Sequence, residues 1–140
     1  MKKYQVILFP TIFCLLLLSV LAFAKGRLLQ QKDPDAEIFE TRCGWFSNPT
    51  PSNFSLFDRD GEWIIGVQGG YQVTNDWNWP AFSPEQWVKT NLDYGYGCVC
   101  MQMKVNSKTH EVLAIKHTRV QSLAKCRDDR ALEKWKPMFK

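Results

Sequence analysis

Cys98 and Cys100 stand two residues apart in a stretch, Tyr96-Gly97-Cys98-Val99-Cys100-Met101-Gln102-Met103-Lys104-Val105, that reads as a β-strand. Side chains alternate between the faces of a strand, so Val99, Met101, Met103 and Val105 share one face, and Cys98, Cys100, Gln102 and Lys104 the other. The apolar set belongs against a core, which leaves both cysteines on the outer face. Neighbours at i and i+2 on one face are ~6–7 Å apart at the rise of a strand, beyond the Cβ separation a disulfide accepts. The two cysteines are therefore not bonded to each other. Each reaches its own partner, and two distant segments are drawn onto one strand face.

How many partners remain depends on the N-terminus. Lys2 and Lys3 precede an apolar run from Val6 to Phe23, and Ala22-Phe23-Ala24 supplies the small residues of a signal-peptidase site, predicting cleavage before Lys25. The rival reading is an uncleaved anchor, because the run approaches the ~20 residues that span a bilayer. Pro10 and the small-residue exit favour cleavage, which leaves no stable membrane anchor. Cys14 lies inside the apolar run rather than at the cleavage point, so a lipid anchor is rejected. Removing 24 of the 140 residues leaves 116, enough for one core. Cys14 leaves with the signal, and Cys43, Cys98, Cys100 and Cys126 remain. An even set in a small exported chain is a disulfide framework, each bridge stabilising by about 2–4 kcal/mol. The favoured pairing is Cys43–Cys98 with Cys100–Cys126. The swapped arrangement is a close second, because spacing does not fix connectivity.

Along the mature chain, residues 25–37 form a polar arm without period, and a single small domain spans 38–140. Asn48-Pro49-Thr50-Pro51-Ser52-Asn53 is a turn-forming cluster. Phe54-Ser55-Leu56-Phe57 and Glu62-Trp63-Ile64-Ile65-Gly66-Val67 flank Asp58-Arg59-Asp60-Gly61, a β-hairpin pattern in which Gly61 supplies the positive φ. Tyr71-Gln72-Val73 has the makings of a short strand, and Trp77-Asn78-Trp79-Pro80 reads as a loop. Ser83-Pro84-Glu85-Gln86 carries a capping box for a brief helix. The cysteine-bearing strand turns through Asn106–Thr109 into Glu111–Lys116 as a second hairpin, and Ser122–Trp135 has the loose spacing of a short amphipathic helix. The expected fold is a β-rich α+β domain. Two hairpins form a small antiparallel sheet or partial barrel, with a short C-terminal helix stapled across it.

Removing Lys2 and Lys3 takes the formal charge from +4 to +2, too little for a nucleic-acid binder. Cys98 and Cys100, with Met101, Met103, His110 and His117 nearby, are soft ligands of the kind copper(I) prefers. An oxidising compartment and the opposite strand faces weigh against that metal reading. Asp58-Arg59-Asp60-Gly61 echoes a calcium loop, but the twelfth position is Gly69 rather than a closing glutamate. His110 and His117 have no nucleophile at a recognisable spacing, and counted along a strand they fall on opposite faces. No catalytic set and no cofactor motif is present, and no enzyme is expected. Trp63 alternates with Ile65 and Val67 and belongs to the core. Trp77, Asn78 and Trp79 are the candidate partner-binding residues, because flat apolar rings beside an amide suit sugar stacking or a protein interface. The competing reading is that these rings cap the core. The expectation is a periplasmic or secreted binding protein whose partner is an unknown protein or an envelope polymer. A soft-metal binder and an enzyme with an unrecognised site are the alternatives.

Arg42-Cys43-Gly44-Trp45, Asn48-Pro49-Thr50-Pro51-Ser52-Asn53, Asp58-Arg59-Asp60-Gly61-Glu62-Trp63 and Gln68-Gly69-Gly70 form a combination with Trp87-Val88-Lys89-Thr90-Asn91, Tyr94-Gly95-Tyr96-Gly97-Cys98-Val99-Cys100 and Cys126-Arg127-Asp128-Asp129-Arg130-Ala131-Leu132. Together they resemble the family catalogued as domain of unknown function 4087, from Arg42 to about Leu132. The resemblance implies a small exported protein of Gram-negative bacteria in which all four mature cysteines belong to the shared motif. It implies no activity.

Overall fold

A computed structural model describes residues 38–139; the expected signal segment and polar arm lie outside the described residues. Six strands form one sheet: β1 (Glu40–Thr50), β2 (Asn53–Phe57), β3 (Glu62–Gly66), β4 (Trp87–Asn91), β5 (Tyr94–Asn106) and β6 (Glu111–Val120). The order is β1-β2-β3-β6-β5-β4, and β1 also pairs with β5, so β1, β2, β3, β6 and β5 close into a ring. Strand β4 is an appendage on the first residues of β5. The two expected hairpins are present as β2–β3 and β5–β6. The sheet is mixed rather than antiparallel, because β3 meets β6 in parallel at Ile64 opposite Glu111.

Strand β1 replaces the expected turn cluster over most of its length: the chain stays extended to Thr50 and turns only at Pro51-Ser52. The strand lacks a clean alternation because both of its faces are covered. Phe46 points into the barrel and Trp45 out of it, and both are buried. Gly44, just before them, is a steric requirement, since a Cβ there would collide with the Phe57 carbonyl of β2.

The barrel core is built as the alternation of β5 requires. Val99, Met101 and Met103 are fully buried against Phe46, Leu56, Trp63, Ile65, Val112 and Ile115. Burying each such side chain stabilises by about 1.5–3 kcal/mol. Register shifts at Gln102/Met103 and Lys104/Val105 interrupt the β5–β6 ladder, and such bulges add the local twist a small closed sheet needs. Between β3 and β6 the ring is held by few strand bonds, and residues 71–78 fill the gap. Val73 N–H donates to Ile65 O, and the Tyr71 hydroxyl donates to Val112 O. The Asn75 side chain donates to Ile115 O and accepts from Ile115 N–H, as a strand neighbour would.

A second apolar cluster lies outside the ring. Trp45, Phe57, Tyr96 and Cys98 are covered by Cys126, Leu132 and Phe139 of the C-terminal segment. The Phe139 ring lies 5.5 Å from Trp45, 5.1 Å from Phe57 and 5.0 Å from Tyr96. The expected helix over 122–135 is split into α1 (Leu123–Arg127) and a 3-10 turn (Arg130–Trp135). The break falls at Asp129, whose side chain accepts from Ala131 N–H at 2.9 Å and caps a fresh turn instead of continuing the first.

The disulfides are Cys43–Cys100 and Cys98–Cys126. This is the swapped arrangement, and it corrects the favoured pairing. The cause is register: Cys43 faces Cys100 across the β1–β5 ladder, whereas the residue facing Cys98 is Trp45. Cys98 is left to α1, which lies on its outer side. Neither cysteine bonds to its neighbour two residues away, as the strand geometry demanded.

Candidate functional site

The β2–β3 turn shows how a local sequence fixes a local charge arrangement. Gly61 does not adopt the positive φ expected of it; among the described glycines only Gly69 does, at 73°. Asp58 organises the turn instead. Its Oδ1 accepts from Asp60 N–H at 2.7 Å and Gly61 N–H at 3.0 Å, and its own N–H donates to Gly61 O. Its Oδ2 accepts from Arg42 at 2.6 Å, and its carbonyl accepts from the Trp135 indole at 2.7 Å. Arg42 also donates to Asp60 at 2.8 Å and Glu40 at 2.9 Å, with its guanidinium 4.0 Å from the Trp63 ring. Burial lowers the pKa of this guanidinium, but the bonds to Asp58, Glu40 and Asp60 outweigh it and hold the group well above its ordinary value. These carboxylates line a 240 Å³ cavity, and each is already bonded to Arg42. The arrangement is a structural clasp, and the calcium-like spelling of 58–61 has a hairpin explanation.

The histidines are separate. His110 is in the β5–β6 turn at φ 59°, so the alternation that placed it opposite His117 does not apply to it. Its Nδ1 lies 3.0 Å from the Glu62 carbonyl, and its ring stacks on Trp63 at 4.8 Å. His117 lies in β6, beside Cys100, Gln102 and Arg119 on the barrel's outer side. Cys98 and Cys100 are both in disulfides, and Met101 and Met103 are buried in the barrel. Among the described residues, no group of three or more His, Cys, Asp or Glu side chains is placed to hold a metal.

The Trp77-Asn78-Trp79 segment divides between the two readings made of it. Trp77 is half-buried against the barrel core and lies 5.5 Å from Trp79. The backbone between them is pinned where Asn78 O accepts from the Thr118 hydroxyl at 2.9 Å. Trp79 remains 45% exposed, although Phe46 and Phe54 meet it edge to face at 5.0 and 4.9 Å. Three aromatic contacts thus hold a ring whose remaining surface is open.

That surface is one wall of a 620 Å³ groove between residues 79–84 and the β4–β5 hairpin. The capping box forms as expected, with Gln86 Oε1 accepting from Ser83 N–H, but the turn it starts is a single 3-10 turn that leads into β4. Phe82 and Trp87 flank this turn with ring centroids 4.7 Å apart. Phe82 lies against Gly97 of β5, where any side chain would clash with its ring. The Trp87 indole donates to Asp93 O across the hairpin turn, and Lys89 donates to Asp93 Oδ1 at 2.7 Å. That bond, then the ammonium charge, lowers the Asp93 carboxyl below its ordinary value. Asn48, at the end of β1, closes the groove. The sequence reading gave Asn48, Phe82, Trp87, Lys89 and Asp93 no binding role, and it is the pairing of β4 and β1 with β5 that brings Asn48, Trp87, Lys89 and Asp93 beside Trp79.

A third concavity of 360 Å³ lies on the outer side of β1, β2 and β3, with Ile64, Val67 and Met138 among its lining residues. No helix of the described residues is long and apolar enough to cross a membrane.

A family model described as protein of unknown function (DUF4087) matches residues 37–133. No curated protein and no solved structure matches the chain.

Proposed function

The chain belongs to the DUF4087 family of proteins of unknown function, and from that premise we propose that it is an exported binding protein that holds its ligand in the aromatic groove. The observation that carries this reading is Trp79. A ring 45% exposed yet fixed by Phe46 and Phe54 is a preorganised contact surface, and preorganisation lowers the ordering cost of binding. Aromatic residues of this kind dominate binding hot spots. The groove's volume falls within the ~300–1,000 Å³ of small-molecule sites.

Export rests on the N-terminal pattern and on the two disulfides, which are the ordinary state of cysteines outside the cytoplasm. The five ring strands, numbered among themselves, follow the order 1-2-3-5-4-1 with a parallel closure. That is the connectivity of the OB barrel, a fold that carries oligonucleotide and oligosaccharide binders. This is analogy of fold only. Cys43, Cys98, Cys100 and Cys126 are all bridged, so among the described residues the soft-metal reading has no free thiolate.

The test is retention on envelope material. Mature protein incubated with washed cell-envelope polymer should co-sediment with it, and Trp79→Leu, which keeps an apolar side chain against Phe46 and Phe54, should reduce retention at least tenfold. Circular dichroism should show both proteins folded. Equal retention of a folded Trp79→Leu variant overturns the groove as the binding site.

A further inference from the structure

We propose that the ligand of this groove is a neutral saccharide, with one sugar ring stacked on the open face of Trp79; this deepens the binding reading above and rests on it. Charge is the first argument. The two ionised side chains lining the groove, Lys89 and Asp93, are bonded to each other at 2.7 Å and cancel. A polyanion is held by an excess of cations, and this groove has none, its one ammonium being matched by one carboxylate. An uncharged ligand meets no uncompensated charge.

The second argument is the division of surfaces. Trp79, Phe82 and Trp87 give flat apolar area, while Asn48, Ser83 and the Lys89–Asp93 pair place amide, hydroxyl, ammonium and carboxylate groups at its margin. A pyranose has the matching division: C–H faces that lie on an aromatic ring, and a rim of hydroxyls that donate and accept. The Lys89–Asp93 pair presents a donor beside an acceptor, which suits two adjacent hydroxyls.

The third argument separates sugar from extended peptide. Proline-rich peptides dock on aromatic grooves and need donors for their free carbonyls. The Trp87 indole N–H, the donor set among the rings, is committed to Asp93 O at 3.1 Å, which leaves a peptide only the marginal donors of Asn48, Ser83 and Lys89. Stacking a sugar uses the face of a ring and leaves that bond in place. The wall is also packed before binding, with Phe82 seated against Gly97 and Ser83 N–H donating to Gln86 Oε1 across the turn.

The test uses the mature full-length protein, oxidised, with indole N–H signals followed by NMR. The probes are chitotetraose, cellotetraose and maltotetraose, with a decaproline peptide as the competing class. At least one tetrasaccharide should shift the Trp79 indole signal saturably below about 10 mM, unchanged between about 50 and 500 mM salt. Trp79→Leu should weaken that binding at least tenfold, and Lys89→Ala several-fold, both with a native spectrum. If no tetrasaccharide moves the Trp79 signal, or if the shift disappears in high salt, the neutral-saccharide proposal is wrong. If decaproline alone moves it, the saccharide proposal falls while the groove reading stands. If Trp79→Leu proves unfolded, titration of Lys89→Ala decides, and undiminished saccharide binding by that variant overturns the proposal.

Discussion

Replacing Asp58 by alanine should destabilise the domain far more than replacing Asp60, although both carboxylates bond the same arginine. The Asp58 side chain is 4% exposed and the Asp60 side chain 51%. Asp60→Ala removes a wet ion pair, worth no more than ~1 kcal/mol. Asp58→Ala removes the partner of a half-buried guanidinium, a loss that runs to ~3–5 kcal/mol when the remaining charge is left unpaired. Arg42 keeps Asp60 and Glu40, which places this part near the low end. The alanine also strips the acceptor from Asp60 N–H and Gly61 N–H, for roughly another 1–2 kcal/mol. The total is on the order of 4 kcal/mol, a large part of the ~5–15 kcal/mol that holds a domain of this size. Asp58→Asn retains an oxygen for the turn but loses the charge, and should fall between, near ~2 kcal/mol. Urea unfolding of the three oxidised variants, followed by tryptophan fluorescence, reads these values as midpoint shifts at constant slope. An Asp58→Ala midpoint within error of Asp60→Ala would refute the idea that this turn depends on the buried carboxylate.

Three further expectations follow from burial and backbone. Cys43 is exposed whereas Cys98 and Cys126 are 2% and 3% exposed, so graded dithiothreitol should open Cys43–Cys100 first; mass mapping that finds Cys98–Cys126 open first contradicts this. Leu92 is 84% exposed at φ 53°, a conformation costing a leucine about 1–2 kcal/mol, so Leu92→Asn should stabilise by roughly 0.5–1 kcal/mol, and a lowered Tm would count against it. The Asp93 carboxyl, held down by Lys89, should titrate below the ordinary ~3.9. Its folded-state pKa is depressed, so the contribution is complete above that ordinary value and is lost as pH falls through the folded one. Carbon NMR of the carboxyl should show the midpoint rising in Lys89→Ala, and an unmoved midpoint would speak against the pair.

The parts of the fold that could be read in advance are those where a local rule and the tertiary environment agree. Val99, Met101 and Met103 face the core because β5 has one inward side, and the alternation shows it. Strands β1 and β4 obey no such rule. Trp45 and Phe46 are adjacent and both buried because a C-terminal segment more than seventy residues away covers the outside of β1. Trp87 and Lys89 become neighbours of Trp79 only once β4 has paired with β5. The same limit governed the cysteines: their shared face was a property of one strand, whereas their partners depended on the register between two.

That register bears on how the chain is oxidised. Sliding β1 by two residues along β5 would set Cys43 opposite Cys98 and leave Cys100 for Cys126. A slip of two keeps every side chain on its own face, so the hydrophobic pattern raises little objection to it. If both bridges close around that ladder, the product is a covalent isomer of the same chain. Escape requires a thiolate to reopen one bridge. Efficient maturation should therefore depend on disulfide isomerisation as well as on oxidation, a demand set by two cysteines spaced one strand repeat apart.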